Sequence, residues 1–364
     1  MFCLHSFRRR SGLWPRLAVG AGILSALSLA PGAPAEGHVV VRSQVVIGAI
    51  TRGAHFLLAG ESATRLWEKP GFAKAPWHAR GGETALVTEA LLDVGQSLHL
   101  PELDIYSPKM RAAINFLVKL KPTGTYTASF QANAMALLPP KKRYRMVLEE
   151  DENFLIRTIR LDGAYGYTMH FPLPPLGHPA RLGGTGDNSN TQYGILGMWA
   201  CAHAGLTIPG GYWRLARSHW VNTQYPNGTW VYTGTRPHPA FVPDPPPGPA
   251  GFTTMTPGGV ASLFICDEYL FAQPGIRPTA DRSILRGLAW MNKNFNPHEH
   301  NFYAMYGDER VALASGIQSL GGHNWYEDFA ATLTKNNGGP WSGGDFVDAG
   351  ANATIGTAYG IVPK

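Results

Sequence analysis

Apolar positions recur along this chain at a spacing near 3.6, and the helical segments that this spacing predicts are of two alternating kinds. In the first kind an apolar helix runs into a turn of the form Gly-x-aromatic. It appears as Ile114 to Tyr126 through Gly124, as Phe154 to Tyr167 through Gly163, as Trp220 to Tyr232 through Gly228, and as Leu333 to Trp341 through Gly339. Two degenerate copies, Ala54 to Trp67 and Ile284 to Pro297, lack the glycine. Glycine permits the left-handed turn that ends a helix, and the aromatic two residues later can plug the helix base.

The second kind is rich in small residues: Gly82 to Val94, Thr127 to Leu138, Thr191 to Ala204, Gly259 to Phe271, Asp308 to Leu320 and Ala353 to Ile361. Alanine and glycine let backbones approach closely, which suits an inner layer. Six helices of each kind make about six helical hairpins, an array that either closes on itself or winds as an open superhelix. Two proline-rich stretches, Phe171 to Pro179 and Arg236 to Pro257, read as surface excursions between hairpins.

Gln224-x-x-x-Gly228-x-Trp230 is a full QxxxGxW repeat, and by it the chain resembles the squalene and hopene cyclases and their prenyltransferase-repeat relatives. Asp187-Asn188-Ser189-Asn190-Thr191-Gln192-Tyr193 and Ala304-Met305-Tyr306-Gly307-x-Glu309-Arg310 resemble an exported bacterial branch of these proteins. The resemblance covers about residues 45–362. It implies an all-α fold, an (α/α)6 toroid with chemistry in a central cavity lined by the inner helices. One domain is expected over 36–364.

Residues 1–35 read as an export signal: Arg8 to Arg10, an apolar run from Leu17 to Ala30, then Ala33-Pro34-Ala35. The run is short of the roughly 20 residues of a span, so cleavage is expected, with a tilted anchor from Trp14 to Leu29 as the alternative. The Sec and twin-arginine routes both stay open. A periplasmic or secreted location follows, with no transmembrane segment after the leader is removed. The formal charge of +6 includes four arginines of the leader, which holds no acid; without them 27 basic residues face 25 acidic ones. No nucleic-acid partner is expected from a charge of +2. Cys201 and Cys266 sit in apolar, helix-like runs and read as two buried thiols, with a single disulfide as the alternative. Lys141 to Arg145 followed by Glu149 to Glu152 reads as a solvated helix face.

Polar residues at the starts of the small-residue helices would share one rim. They are Glu83, Gln131, Asp187, Asn188, Asn190, Thr256, Tyr303, Tyr306, Glu309 and Arg310. Asp187 and Glu309 are the candidate acids, and the others candidate ligand-binding groups. Asp187 to Asn190 can equally cap a helix, and Ser189 with Gln192 has the spacing of a capping box. The acidic motifs of family chemistry, DxDD and DDxxD, are absent. Cys266-Asp267 with His323 has the wrong order for the zinc site of protein prenyltransferases, and His298-Glu299-His300 lacks the HExxH spacing. No metal or cofactor is expected. The expected function is binding of an elongated, partly apolar, isoprenoid-like ligand. Cyclase or prenyltransferase chemistry would be the lead for an enzyme. A glycan-active toroid enzyme, lyase or hydrolase-like, and a noncatalytic scaffold are the alternatives.

Overall fold

The computed structural model describes residues 43–63, 66–68, 80–167, 186–233, 249–271, 281–335 and 357–359. The leader, the proline-rich crossing at 171–179 and the turn at Gly339 to Trp341 lie outside these residues. Among the described residues the chain is all-α, with eleven α-helices and no strand. They are α1 (Ser43–Ala59), α2 (Gly82–Leu98), α3 (Pro108–Lys119), α4 (Thr125–Ala136), α5 (Lys142–Thr158) and α6 (Asn188–His203). Then follow α7 (Gly210–Thr223), α8 (Pro249–Phe271), α9 (Arg282–Asn294), α10 (Phe302–Ser315) and α11 (Trp325–Thr334). Residues 357–359 form a further helical turn. No described helix is long and apolar enough to cross a membrane.

The two kinds of segment differ in burial as their compositions predict. The odd-numbered helices bury one stripe: in α9 it is Ile284, Gly287, Leu288 and Met291, and in α3 it is Met110, Ala113, Ile114 and Leu117. The even-numbered helices are buried nearly all round, Thr84 to Leu92 in α2, Thr127 to Met135 in α4 and Asn188 to Met198 in α6. Small residues make this possible. A Cβ on Gly197 would lie 2.8 Å from the Cα of Ser129, which sets how closely α6 approaches α4. The even helices pack in one row, α2, α4, α6, α8, α10, with odd helices against their flanks, and α11 packs against α1.

The aromatic plug recurs with one geometry. Trp67 Nε1 donates to the Leu57 carbonyl at 2.6 Å, Tyr165 Oη to Leu155 at 3.0 Å and Trp230 Nε1 to Trp220 at 2.8 Å, in each case ten residues back. Gly163 (φ 82°) and Gly228 (φ 94°) take the left-handed conformation that turns the chain back. Gln224 completes the motif by donating to the carbonyls of Gly228 and Ser283 while accepting from Arg286.

Three expectations need correction. The excursion expected over Arg236 to Pro257 does not extend to its end: α8 begins at Pro249, and Met255 and Thr256 are buried. Pro257 sits inside that helix, where its ring packs on Gly307 of α10, whose missing side chain leaves the room. Gly124 is extended (φ −153°), not left-handed, and it precedes α4 rather than closing α3. The expected solvated face of α5 carries exposed ion pairs, Arg145 with Glu149 and Lys121 with Glu150, yet the next residue, Asp151, is fully buried. Cys201 and Cys266 are both buried and free.

Candidate functional site

Three even helices bring their first turns to one place. Tyr126 is the second residue of α4, Ser189 of α6 and Tyr303 of α10. Ser189 Oγ bonds the hydroxyl of Tyr126 on one side and that of Tyr303, at 3.2 Å, on the other. Further in, the Gln192 amide donates to the Tyr303 hydroxyl, and Arg310 Nη2 donates to Gln192 Oε1. The Arg310 guanidinium lies 4.8 Å over the ring of Tyr306.

Aromatic rings build the walls. Tyr126 stacks on Tyr167 (centroids 6.0 Å apart, planes 13°) and meets Tyr193 at 4.6 Å. Phe130 lies 5.1 Å from Tyr193, and Tyr359 lies within 6 Å of both Tyr303 and Tyr306. Tyr193 donates to the Tyr359 hydroxyl at 2.9 Å. Exposure grades across the cluster: Tyr193 is sealed, while Tyr167 and Tyr232 are 37% and 46% exposed, with their hydroxyls bonded together. Burial pushes the phenols of Tyr126, Tyr193, Tyr303 and Tyr359 up, so all stay neutral hydroxyls. Glu89, buried on α2, lies near Tyr359 and raises that phenol further.

A second cluster sits at the start of α6. Asp187 is the N-cap, with Oδ1 accepting from Asn190 N (2.7 Å) and Oδ2 from Asn190 Nδ2 (2.9 Å). Burial pushes its carboxyl up to about 6, against the opposing pull of the Asn190 amides. Asn188 Nδ2 donates to the Val231 carbonyl, so its Oδ1 faces His219 and accepts from Nε2 at 2.8 Å. That contact sets the Nε2–H tautomer, and burial brings the imidazole down to about 4. His219 is a neutral donor at ordinary pH.

The structure therefore sorts the residues expected at the rim. Asp187, Asn188 and Asn190 form the capping cluster; Tyr303, Tyr306 and Arg310 belong to the tyrosine cluster, and the first turn of α6 carries both. The capping box does not form, because Ser189 and Gln192 turn to the tyrosines and Asp187 takes the cap. Gln131 donates to the carbonyls of Leu117 and Leu120, bracing the end of α3. Thr256 Oγ1 accepts from the backbone of Trp230. Glu83, in the first turn of α2, and Glu309, on α10, are half-buried. Asp267 is held by Arg217, and His323 faces Asp328. His298 and His300 are exposed. Tyr126, Phe130, Tyr167, Tyr193 and Tyr359 were not among the expected site residues. Their signal was an aromatic recurring within or beside small-residue helices. No protein-family model matches the chain, and no curated protein matches it.

Proposed function

We propose that this chain is an exported α/α-toroid protein of the cyclase and prenyltransferase-repeat type, and that it binds an elongated, partly apolar, isoprenoid-like ligand among the tyrosines at its centre. The observation that carries the reading is the graded aromatic wall, half-open at Tyr167 and Tyr232 and sealed at Tyr193 and Phe130. Rings present a large apolar surface, and their hydroxyls fix a few polar contacts, the composition of a small-molecule site. A closed ring of six hairpins is supported by the row of even helices and by the packing of α11 on α1. Export rests on the leader. Binding is assigned and no chemical step, because both oxygens of Asp187 are engaged by Asn190 and the cyclase acid motifs are missing.

The test is calorimetric titration of the full secreted protein with farnesol, alongside mass analysis of ligand carried through purification. Farnesol should bind, and Tyr167→Ala with Tyr232→Ala should weaken it about tenfold, equivalent to about 1.4 kcal/mol. Both rings are partly exposed, so the fold should survive. One observation favours a second reading: these two partly exposed rings lie near Asp187, an aromatic and polar rim that a glycan could contact without a chemical step on the engaged carboxyl. A neutral cello-oligosaccharide that binds while farnesol does not would select that reading.

A further inference from the structure

We infer that the Arg310 guanidinium is a receptor for a single carboxylate, so that the ligand at this centre is a long-chain acid held by its head group. The inference rests on the reading of the tyrosine cluster as a binding site and adds the chemistry of the ligand's polar end.

Arg310 is 8% exposed and has no carboxylate partner among the described residues. Its contacts are the Gln192 carbonyl at Nη2 and the face of Tyr306, and its Nε–H is sealed from solvent without an acceptor. Nε–H and the neighbouring Nη2–H point the same way and form the parallel fork that a carboxylate takes bidentately. Gln192 Oε1 takes one of the Nη2 protons, and Nε–H has no acceptor. An amide oxygen is a one-armed, uncharged substitute for a carboxylate. A charge kept in so buried a place ordinarily has an anion beside it.

Position agrees with this assignment. Arg310 follows Tyr303 by seven residues on α10, about 10 Å further along the helix from the shared first turns at 1.5 Å per residue. An acid bound head-first would put its carboxylate on the fork and its chain along Tyr306, Tyr303 and Tyr126. Gln192 would release Nη2 to the incoming oxygen and keep its amide donor on Tyr303. One guanidinium neutralises one negative charge, which matches a carboxylate and not a diphosphate.

The experiment compares palmitate with hexadecanol by calorimetry on the full protein, and benzoate with benzamide by thermal shift at constant ionic strength. Palmitate should bind at least tenfold more tightly than hexadecanol. That preference should vanish in Arg310→Gln and survive in part in Arg310→Lys, which keeps the charge without the fork. Benzoate should raise the melting temperature of the wild type and not of Arg310→Gln. Equal binding of acid and alcohol by the wild type would overturn the receptor while leaving the tyrosine site standing. Failure of both chains to bind, with benzoate still discriminating, would uphold the receptor and remove the reading of an elongated ligand. Hexadecyl phosphate binding more tightly than palmitate, or no response to any carboxylate, would overturn the assignment.

Discussion

The chain writes the same phrase, an apolar helix followed by glycine, one residue and an aromatic, at Gly228 to Trp230 and at Gly124 to Tyr126, and the two rings end in opposite places. Gly228, at φ 94°, reverses the chain, so Trp230 returns beneath its own helix and bonds the carbonyl of Trp220. Gly124, at φ −153°, leads the chain straight into α4. Tyr126 is then in the first turn, and because side chains tilt toward a helix's N-terminus, its ring reaches the end shared with α6 and α10. At the end of α3 it is Gln131, not a ring, that donates to the backbone, at the carbonyls of Leu117 and Leu120. A repeat with a left-handed glycine builds scaffold. Where the backbone before the ring is left-handed, at Gly163, at Gly228 and at Leu66 before Trp67, the aromatic plugs its own helix; where it is extended, at Gly124, the aromatic goes to the shared end.

The largest effect that tests this contrast is Gly228→Ala. A Cβ there would clash with the carbonyl of Arg286, and the residue would have to hold a left-handed conformation, together about 3–4 kcal/mol. Gly124→Ala carries none of that backbone strain. Urea denaturation of the two variants should place their midpoints far apart, and equal midpoints would erase the distinction.

A pH series separates the two sides next, since His219 belongs to α7 on the plugged side and Asp187 to the open end. His219 has its pKa depressed on folding, from 6.5 to about 4, so stability present above 6.5 is lost as pH falls through that window. Asp187 has its pKa raised on folding, from 3.8 to about 6, so stability present below 3.8 is lost as pH rises through about 6. Each interval is worth about 3 kcal/mol, and between pH 4 and 6 the two slopes oppose. Asp187→Asn keeps the cap and removes one slope. It should therefore make the protein lose stability on acidification from pH 6 to 4 more steeply than the wild type. Parallel profiles would contradict the burial argument for Asp187.

Trp230→Phe and Gln131→Ala should be matched at about 2 kcal/mol each. The first leaves the Trp220 carbonyl without its indole donor, and the second removes the Gln131 donor from Leu120 and from Leu117, which keeps only the Leu120 amide. Calorimetric melting of both checks whether Gln131 has taken over the work of the ring. A Gln131→Ala protein as stable as wild type would show that α3 needs no closure.

The alternation of helices was legible because it rests on local chemistry, small residues against apolar stripes punctuated by glycine. Boundaries were less so where a neighbour decides them. Pro257 reads as a breaker, and only Gly307, on another helix, explains how α8 accommodates it. Asp187, Tyr303, Tyr306 and Arg310 stood out as polar or aromatic groups near expected helix starts, but the segment expected from Asp308 begins at Phe302, so Glu309 and Arg310 lie in the second half of α10 and not at its start. The cluster itself did not, because Tyr193 and Tyr359 are 166 residues apart and become partners only when the last described turn reaches α6. Asp151 shows the limit of charge patterns: flanked in sequence by the half-buried Glu150 and Glu152, it turns inward with both oxygens unpartnered, and burial pushes its pKa well up.

The smallest stability effect belongs to Tyr126→Phe, and it bears most directly on the contrast. The substitution keeps the ring, and with it the stacking on Tyr167 and the contact with Tyr193. It removes one hydroxyl, whose partner Ser189 Oγ still bonds Tyr303. The melting temperature should therefore change little, by less than about 1 kcal/mol of stability. Affinity for farnesol, if the proposed site holds it, should fall severalfold more than this stability change would suggest, since the hydroxyl sits at the shared end of α4, α6 and α10. Tyr165→Phe is the control from a plugged repeat: it removes a hydroxyl bonded to the Leu155 carbonyl, so stability should fall and affinity should hold. If Tyr126→Phe instead behaves like Tyr165→Phe, losing stability and keeping affinity, then Tyr126 is scaffold after all, and glycine conformation does not separate structural aromatics from those of the site.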